Sequence, residues 1–399
     1  MSLFSAAERL AAMDRSEVTF DAGRCLHSWE KFSECSACFD ICPVGAIVPG
    51  KPPTLNAESC GTCLACLPAC PTGAYAADDA VPALLTAAGH MEGGEMELMC
   101  DHHPQPELGV TESATGIRVR HCLAGLGTGS YADLAALGFE RILVRGDACA
   151  YCPWAALSVQ IEAQANRANH FLSGWGMQNH VVFISELDEP VERPLWDAGS
   201  PPVSRRELFR MMARRGGTMM ARAIENEHTS SERRPGRDRL RLLVAMDYLP
   251  APEIEDTIQL GDLGFATLRL TDACTACGAC ARACPTGALS FERSKDAKNF
   301  SLKFSAPKCI DCAVCVHVCA PSAVEIEHAP TFAQVFSQDT HTLLEGSLAK
   351  CARCGAPIAE RPNIELCPVC EFRRQSPFGS MLPAGLQQLG ERAANRKAS

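Results

Sequence analysis

Two tandem runs of cysteines constrain the fold of this chain more than any other feature of its sequence. One run extends from Cys274 to Pro285 and the other from Cys309 to Pro321, and both have the spacing C-x2-C-x2-C-x3-C. Three thiolates at this spacing can bind three irons of one [4Fe–4S] cluster, while the fourth cysteine binds the neighbouring cluster. Zinc would require isolated groups of four cysteines. Ala320 precedes the proline of the second run and leaves every ligand position intact.

The two runs predict a pair of [4Fe–4S] clusters that exchange their fourth ligands. One cluster is assigned to Cys274, Cys277, Cys280 and Cys319, and its neighbour to Cys309, Cys312, Cys315 and Cys284.

The same repeat returns in a less regular form between residues 35 and 71. A second pair of clusters is therefore expected there, assigned to Cys25, Cys35, Cys38 and Cys70 and to Cys60, Cys63, Cys66 and Cys42. In the run that begins at Cys35, Phe32 stands where the first ligand should be. Cys25 is the nearest spare thiol, and a loop insertion could bring it to the iron. His27, or a [3Fe–4S] cluster held by three cysteines, is the alternative.

A common pattern follows the fourth cysteine of each run. Proline ends the short helix that carries the ligand, glycine or a small residue permits a turn, and a strand follows. The four segments are Val44–Ile47, Thr72–Tyr75, Thr286–Leu289 and Ser322–Val324. With these repeats, both cysteine-rich segments resemble the bacterial dicluster ferredoxin family and the polyferredoxin-like subunits of redox complexes. The resemblance implies two (βαβ)2 modules that transfer single electrons between neighbouring clusters.

The segment between the two modules has the pattern of an α/β domain. The expected order of strands and helices is typical of an open, mainly parallel sheet. Strands are predicted over Met96–Met99, Ile117–Arg120, Arg141–Val144 and Val181–Ile184, and helices over Ser130–Leu137, with Ser130 as N-cap, and Pro153–Leu172. The glycine-rich stretch Gly125–Gly129 lacks the spacing of a nucleotide-binding loop, although its backbone could turn toward an anion.

Four cysteines of this domain, Cys100, Cys122, Cys149 and Cys152, follow its first three predicted strands. Ligands of open α/β sheets gather at the carboxyl ends of the strands, so we expect these thiols at one rim, with Cys152 at a helix N-terminus. Four interpretations remain open: a further iron–sulfur cluster such as [2Fe–2S], a zinc site, a redox dithiol, or four separate core residues. Asp101, His102, His103 and His121 flank the rim and are expected to cover it rather than to ligate.

The spread of these cysteines, and the segment from Arg145 to Cys152, resemble the small iron–sulfur delta subunit of methanogen-type hydrogenases, which links a hydrogenase to heterodisulfide reductase. The resemblance favours iron–sulfur chemistry at the rim.

Two CxxC knuckles near the C-terminus contain the remaining cysteines, Cys351, Cys354, Cys367 and Cys370. This pattern resembles a zinc ribbon, in which Gly355 would let backbone amides turn toward the thiolates. A rubredoxin-type iron is the alternative. The expected role of these two knuckles is structural.

Composition excludes several classes of function. A formal net charge of −10 argues against a nucleic-acid partner. The sequence contains no run of 18 apolar residues, so no transmembrane helix is expected. Residues 1–24 lack the apolar region of a secretory signal, and 24 cysteines without such a signal indicate a reducing, cytoplasmic location.

We therefore expect an α+β multidomain protein. Its predicted parts are a dicluster ferredoxin module over 1–82, an open α/β sheet domain over 93–187, a linker with a basic helix over 188–241, a second dicluster module over 242–330 and a zinc-ribbon-like tail over 345–375.

The predicted function is relay of single electrons through four [4Fe–4S] clusters within a cytoplasmic oxidoreductase complex. The sequence shows no nucleotide-binding fingerprint, so the electron donor and acceptor are expected on other chains. One alternative is a reductase that uses Cys149 and Cys152 on a disulfide or small substrate, and another is an assembly factor for a metalloenzyme.

Overall fold

The computed structural model describes residues 18–31, 33–91, 93–202, 233–250, 258–362 and 364–376. Within these residues the chain forms two compact units. The first contains residues 18–25, 35–202 and 236–250, and the second contains 26–34, 233–235 and 258–376. Residues 1–17 lie outside the described part, and so does the basic linker helix that is predicted to begin at Ser204. None of the described helices combines the length and the apolar character needed to cross a bilayer.

Short strands and helices make up most of the described elements. The strands are β1 (Thr19–Phe20), β2 (Ile47–Val48), β3 (Thr54–Leu55), β4 (Tyr75–Ala76), β5 (Glu95–Cys100), β6 (Leu108–Gly109), β7 (Thr115–Val119), β8 (Arg141–Arg145), β9 (Val181–Ile184), β10 (Val191–Glu192), β11 (Leu195–Asp197), β12 (Thr267–Leu270), β13 (Leu289–Arg293), β14 (Asn299–Phe304), β15 (Val324–Glu327), β16 (His341–Lys350) and β17 (Pro357–Ala359). The helices are α1 (Leu26–Trp29), α2 (Ala37–Asp40), α3 (Cys66–Ala69), α4 (Val81–Ala88), α5 (Thr128–Ala136), α6 (Ser158–Leu172), α7 (Arg237–Met246), α8 (Ala279–Ala283), α9 (Val314–His317), α10 (Phe332–Phe336) and α11 (Pro368–Gln375).

The N-terminal part of the first unit is a small twofold arrangement of strand pairs and one-turn helices. β1 pairs antiparallel with β4, and β2 pairs antiparallel with β3. Val18, Ile47, Leu64 and Tyr75 are buried in one core together with the thiols carried by α2 and α3. A helix of one turn is not stable alone. These helices therefore depend on packing in this core.

A five-stranded parallel sheet is the centre of the first unit. Its strand order is β11-β7-β5-β8-β9, and every neighbouring pair is parallel. The four strands predicted from the sequence are confirmed, and Ile117, Ile142 and Val144 are fully buried, as expected for strands covered on both faces. β11 and the first half of α7 come from residues that the sequence assigns to a linker, and the second half of α7 comes from the predicted second dicluster module. Both elements belong to this unit.

Both helices predicted in this domain begin elsewhere. α5 begins at Thr128 rather than after a Ser130 cap, because the carboxylate of Asp238, from α7, accepts a hydrogen bond from the Gly129 N–H at 3.0 Å. The anion that faces the glycine-rich stretch is therefore a side chain of this chain. α6 begins at Ser158 rather than Pro153. The predicted placement of Cys152 at a helix N-terminus is consequently wrong.

α7 is held to the N-terminal part of its unit by a buried ion pair. Arg241 donates to Asp79 at 2.9 Å, and Arg237 donates to the same carboxylate. The side chain of Asp79 is 2% exposed. Burial raises the pKa of this carboxyl, but the two guanidinium charges outweigh burial and hold the pKa below its ordinary value. Asp79 is therefore ionised in the folded protein.

The second unit repeats the strand pairing of the first and then extends it. β12 pairs antiparallel with β15, and β13 and β14 form an antiparallel hairpin. β16 adds to the open side of β14 and pairs at its far end with β17, which gives the order β13-β14-β16-β17. One continuous strand, β16, thus joins the hairpin to the C-terminal cysteine knuckles.

Candidate metal centres

The first set of predicted ligands, Cys25, Cys35, Cys38 and Cys70, lies together in the first unit. Burial raises the pKa of Cys38, and the charges of the other three thiols raise it further. Cys25 is 9% exposed and follows the turn Ala22–Arg24, and its charge is among those that raise the pKa of Cys38, so it lies near the other three thiols. The rival ligand His27 lies in α1 of the second unit.

The second set, Cys42, Cys60, Cys63 and Cys66, also lies together. Burial raises the pKa of Cys66 strongly, and the neighbouring thiols Cys63, Cys60 and Cys42 add to the effect. Cys63 stands between Thr62 and Leu64, which have φ values of 54° and 61°. Left-handed backbone costs a residue other than glycine about 1 kcal/mol or more, and such strain clusters at functional sites.

The two sets of the second unit have the same construction. Burial raises the pKa of Cys280 to about 12, with further contributions from Cys277, Cys274 and Cys319. Burial likewise raises the pKa of Cys312 to about 12, with Cys309 and Cys284 adding to it.

The left-handed backbone found around Cys63 recurs in both loops of the second unit. Ala276 and Gly278 flank Cys277 with φ of 54° and 69°, and Asp311 and Ala313 flank Cys312 with φ of 50° and 55°. The three complete runs thus share one strained loop conformation around the second cysteine.

The same kind of hydrogen bond to sulfur occurs in each of the two units. The N–H of Ala74 donates to the sulfur of Cys70 at 3.2 Å, and the N–H of Ala323 donates to the sulfur of Cys319 at 3.2 Å. Both donors come four residues after the fourth cysteine of a run. Such bonds stabilise a thiolate ligand and tune the potential of an iron–sulfur cluster.

The four cysteines of the α/β domain meet at the carboxyl ends of β5, β7 and β8, as expected from the sequence. They line one pocket of about 40 Å³ together with Trp154, Leu157 and Arg145. Burial raises the pKa of Cys122 to about 12, and the charges of Cys100, Cys63 and Cys149 raise it as well. Cys63 belongs to the second predicted cluster, so the rim and that cluster site are neighbours within the first unit.

Two glycines lie where the rim and the loop around Cys63 pack closely together. A Cβ atom on Gly125 would lie 3.0 Å from the Cβ of Leu64, and one on Gly61 would lie 2.8 Å from the indole ring of Trp154. Glycine at both positions lets the loop around Cys63 approach the rim.

A buried charge network lies beneath the rim, and the sequence alone does not predict it. Glu97 in β5 is fully buried and accepts hydrogen bonds from Arg145 at 3.2 Å, Arg193 at 3.0 Å and the Val110 N–H at 2.6 Å. A charged residue within the apolar strand Met96–Met99 is the signal that could have revealed it, because a buried carboxylate requires cationic partners.

The same network reaches the loop that carries Cys149. Arg145 donates to Asp147 at 2.7 Å, and His103 lies 3.3 Å from Asp147 through Nε2. Burial raises the pKa of Asp147, but hydrogen bonds from Arg145 and His103 outweigh it and hold the pKa well below its usual range. The N–H of Gln105 donates to Nδ1 of His103, so Nε2 carries the proton toward Asp147. Both ring nitrogens of the buried His103 are thus engaged, one by Gln105 and the other by Asp147.

The C-terminal knuckles bring Cys351, Cys354, Cys367 and Cys370 together, with all four sulfur atoms within 4.8 Å of one another. Sulfur ligands of one tetrahedral zinc ion lie about 3.8 Å apart, and Cys354 and Cys367 are 3.6 Å apart. The N–H of Cys367 donates to the sulfur of Cys351 at 3.2 Å and lowers the pKa of that thiol. Gly355 has φ of 73°, as the expected turn requires. The four thiols fit a single metal ion.

Comparison with known families identifies one domain of the chain. The profile of the 4Fe-4S dicluster domain matches residues 273–324, which contain all eight cysteines of the two tandem runs. This match and the loop geometry identify a dicluster domain of ferredoxin type within the second unit, over a small part of the 399-residue chain. No curated protein matched the chain.

Proposed function

We propose that this chain relays single electrons through four [4Fe–4S] clusters, as a subunit of a cytoplasmic oxidoreductase complex whose donor and acceptor are other proteins. The observation that carries the proposal is the loop conformation shared by three complete cysteine runs, only two of which lie in the matched dicluster domain. A strained conformation kept around three cysteines in two units favours one common ligand.

The cysteine sets described above would hold the clusters, and each [4Fe–4S] cluster would supply a site that stores one electron. Within the second unit, Cys280 of one set lies close enough to Cys315 of the other to raise its pKa. Neighbouring sites of this kind suit electron exchange. The protein's own contribution is to exclude water from the buried thiols and to set the potential through backbone hydrogen bonds to sulfur.

We further propose that the rim of the α/β domain holds an additional iron–sulfur centre, with zinc as the alternative. Support comes from the convergence of four thiols and from the closeness of Cys122 to Cys63, which would connect the rim to the cluster chain. The reductase alternative requires an activated dithiol. Burial instead raises the pKa of Cys149 to about 11, which argues against a free nucleophilic thiol at neutral pH. The C-terminal knuckles are proposed to hold zinc.

The test is metal and sulfide analysis with EPR on the full chain purified without oxygen. We expect about sixteen iron atoms from the four clusters, additional iron at the rim, and one zinc. Cys63→Ala and Cys354→Ala form a matched pair: the first should lower iron and leave zinc unchanged, and the second should do the reverse. Colourless protein with zinc in place of iron would overturn the proposal.

A further inference from the structure

The C-terminal knuckles contact a ligand loop of the second unit, and this contact has no counterpart in the sequence patterns. The Ala359 N–H, at the end of β17, donates to the carbonyl oxygen of Thr275 at 3.0 Å. Thr275 lies between the ligands Cys274 and Cys277. The buried side chains of Ala276, Phe300 and Ala359 pack together at the same place.

Arg361, two residues after β17, brings a positive charge to this loop. Its guanidinium donates to the carbonyl oxygen of Asp272 at 2.6 Å and lies 3.4 Å from the Asp272 carboxylate. The Arg361 side chain is 24% exposed, whereas that of Asp272 is fully exposed to solvent. Water therefore screens the carboxylate more than the guanidinium. Asp272 lies two residues before the predicted ligand Cys274, so its contact with Arg361 places this positive charge beside the ligand loop.

We propose that the C-terminal knuckles tune the neighbouring cluster site, with Arg361 as the positioning residue that raises the reduction potential of the cluster held by Cys274, Cys277, Cys280 and Cys319. Reduction adds a negative charge to a cluster, and a nearby fixed cation stabilises the reduced state. The inference rests on the proposed cluster at this site. It assigns the knuckles a redox role in addition to a structural one.

The test is a redox titration of the full chain followed by EPR, with Cys319→Ala used to identify the signal of this cluster. In Arg361→Gln we expect at least a threefold lower ratio of reduced to oxidised cluster at fixed potential, about 28 mV for a one-electron couple. The other clusters should be unchanged. Arg361→Lys keeps the charge and should restore most of the shift.

Arg374→Gln is the matched control, because Arg374 lies in α11 of the same knuckles and donates to Glu371 at 2.7 Å. An unchanged potential in Arg361→Gln, or an equal shift in Arg374→Gln, would overturn the inference while leaving the proposed clusters in place. If Arg361→Gln loses the cluster altogether, retention in Arg361→Lys supports the role of the charge, and loss in both variants refutes it. Absence of this cluster from the unaltered protein would instead refute the proposed function.

Discussion

Glu97 shows how a single residue supports the rim from below. Its carboxylate is fully buried, and two guanidinium groups and one backbone N–H satisfy it. Removing one partner of a buried ion pair leaves the others unpaired in a medium of low dielectric, which is far more costly than losing a pair in water. Arg193 lies 96 positions away in the sequence, so the pairing itself could not be predicted.

We expect Glu97→Gln to lower the free energy of unfolding by about 3 kcal/mol, because it leaves Arg145 and Arg193 without their shared charge. Glu95→Gln is the control on the same strand, since Glu95 pairs with the half-exposed Arg141. It should cost less than about 1 kcal/mol. Urea unfolding followed by circular dichroism under anaerobic conditions measures both. Equal losses in the two variants would contradict the role given to Glu97.

Asp238 predicts a dependence of stability on pH. Burial raises the pKa of this carboxyl from 3.8 to about 6, against the opposing charge of Arg241. A carboxyl whose pKa is raised on folding binds a proton more tightly in the folded state. Its contribution to stability is therefore complete below pH 4 and is lost as the pH rises through 6.

Between pH 5 and 7 the free energy of unfolding should fall by about 1 kcal/mol because of Asp238. In Asp238→Asn this part of the pH dependence should disappear, since an amide does not titrate. Thermal unfolding of both proteins across that range is the measurement. An unchanged slope in the variant would show that other groups cause it.

At the scale of elements, prediction from the sequence worked where the physical cause is local. The sheet strands are apolar runs such as Ile142–Val144, and a parallel sheet gathers the residues that follow its strands at one rim. The rim was therefore predictable. Helix starts were not, because the cap of α5 is Asp238, which lies 109 positions from Gly129. β11 was not predictable for a similar reason. Its three residues form a strand because they pair with β7, which is distant in the sequence.

The irregular N-terminal run gives the sharpest prediction about a loop. Cys25 is the proposed replacement for the missing first ligand, so Cys25→Ala should lose one cluster or convert it to [3Fe–4S], and iron should fall by about one to four atoms. Iron analysis and EPR measure the change. His27→Ala serves as the control and should leave both unchanged. Unchanged iron and spectrum in Cys25→Ala would refute the assignment of Cys25.

At the scale of the whole molecule, the proposed assignments divide the 24 cysteines into six sets of four. Sixteen belong to the four predicted clusters, four to the rim and four to the C-terminal knuckles. In the first unit the rim adjoins the loop of Cys63, and in the second unit the knuckles adjoin the loop of Cys274. Each additional set of thiols thus accompanies one pair of predicted clusters.

The placement of β16 has a consequence for solubility. β14 lies between β13 and β16, so its amides and carbonyls are paired along both sides. A shortened chain that ended before His341 would leave the outer side of Asn299–Phe304 bare. Bare strand edges recruit strands from other copies and begin aggregation. The C-terminal segment therefore also protects the protein against self-association through this strand edge.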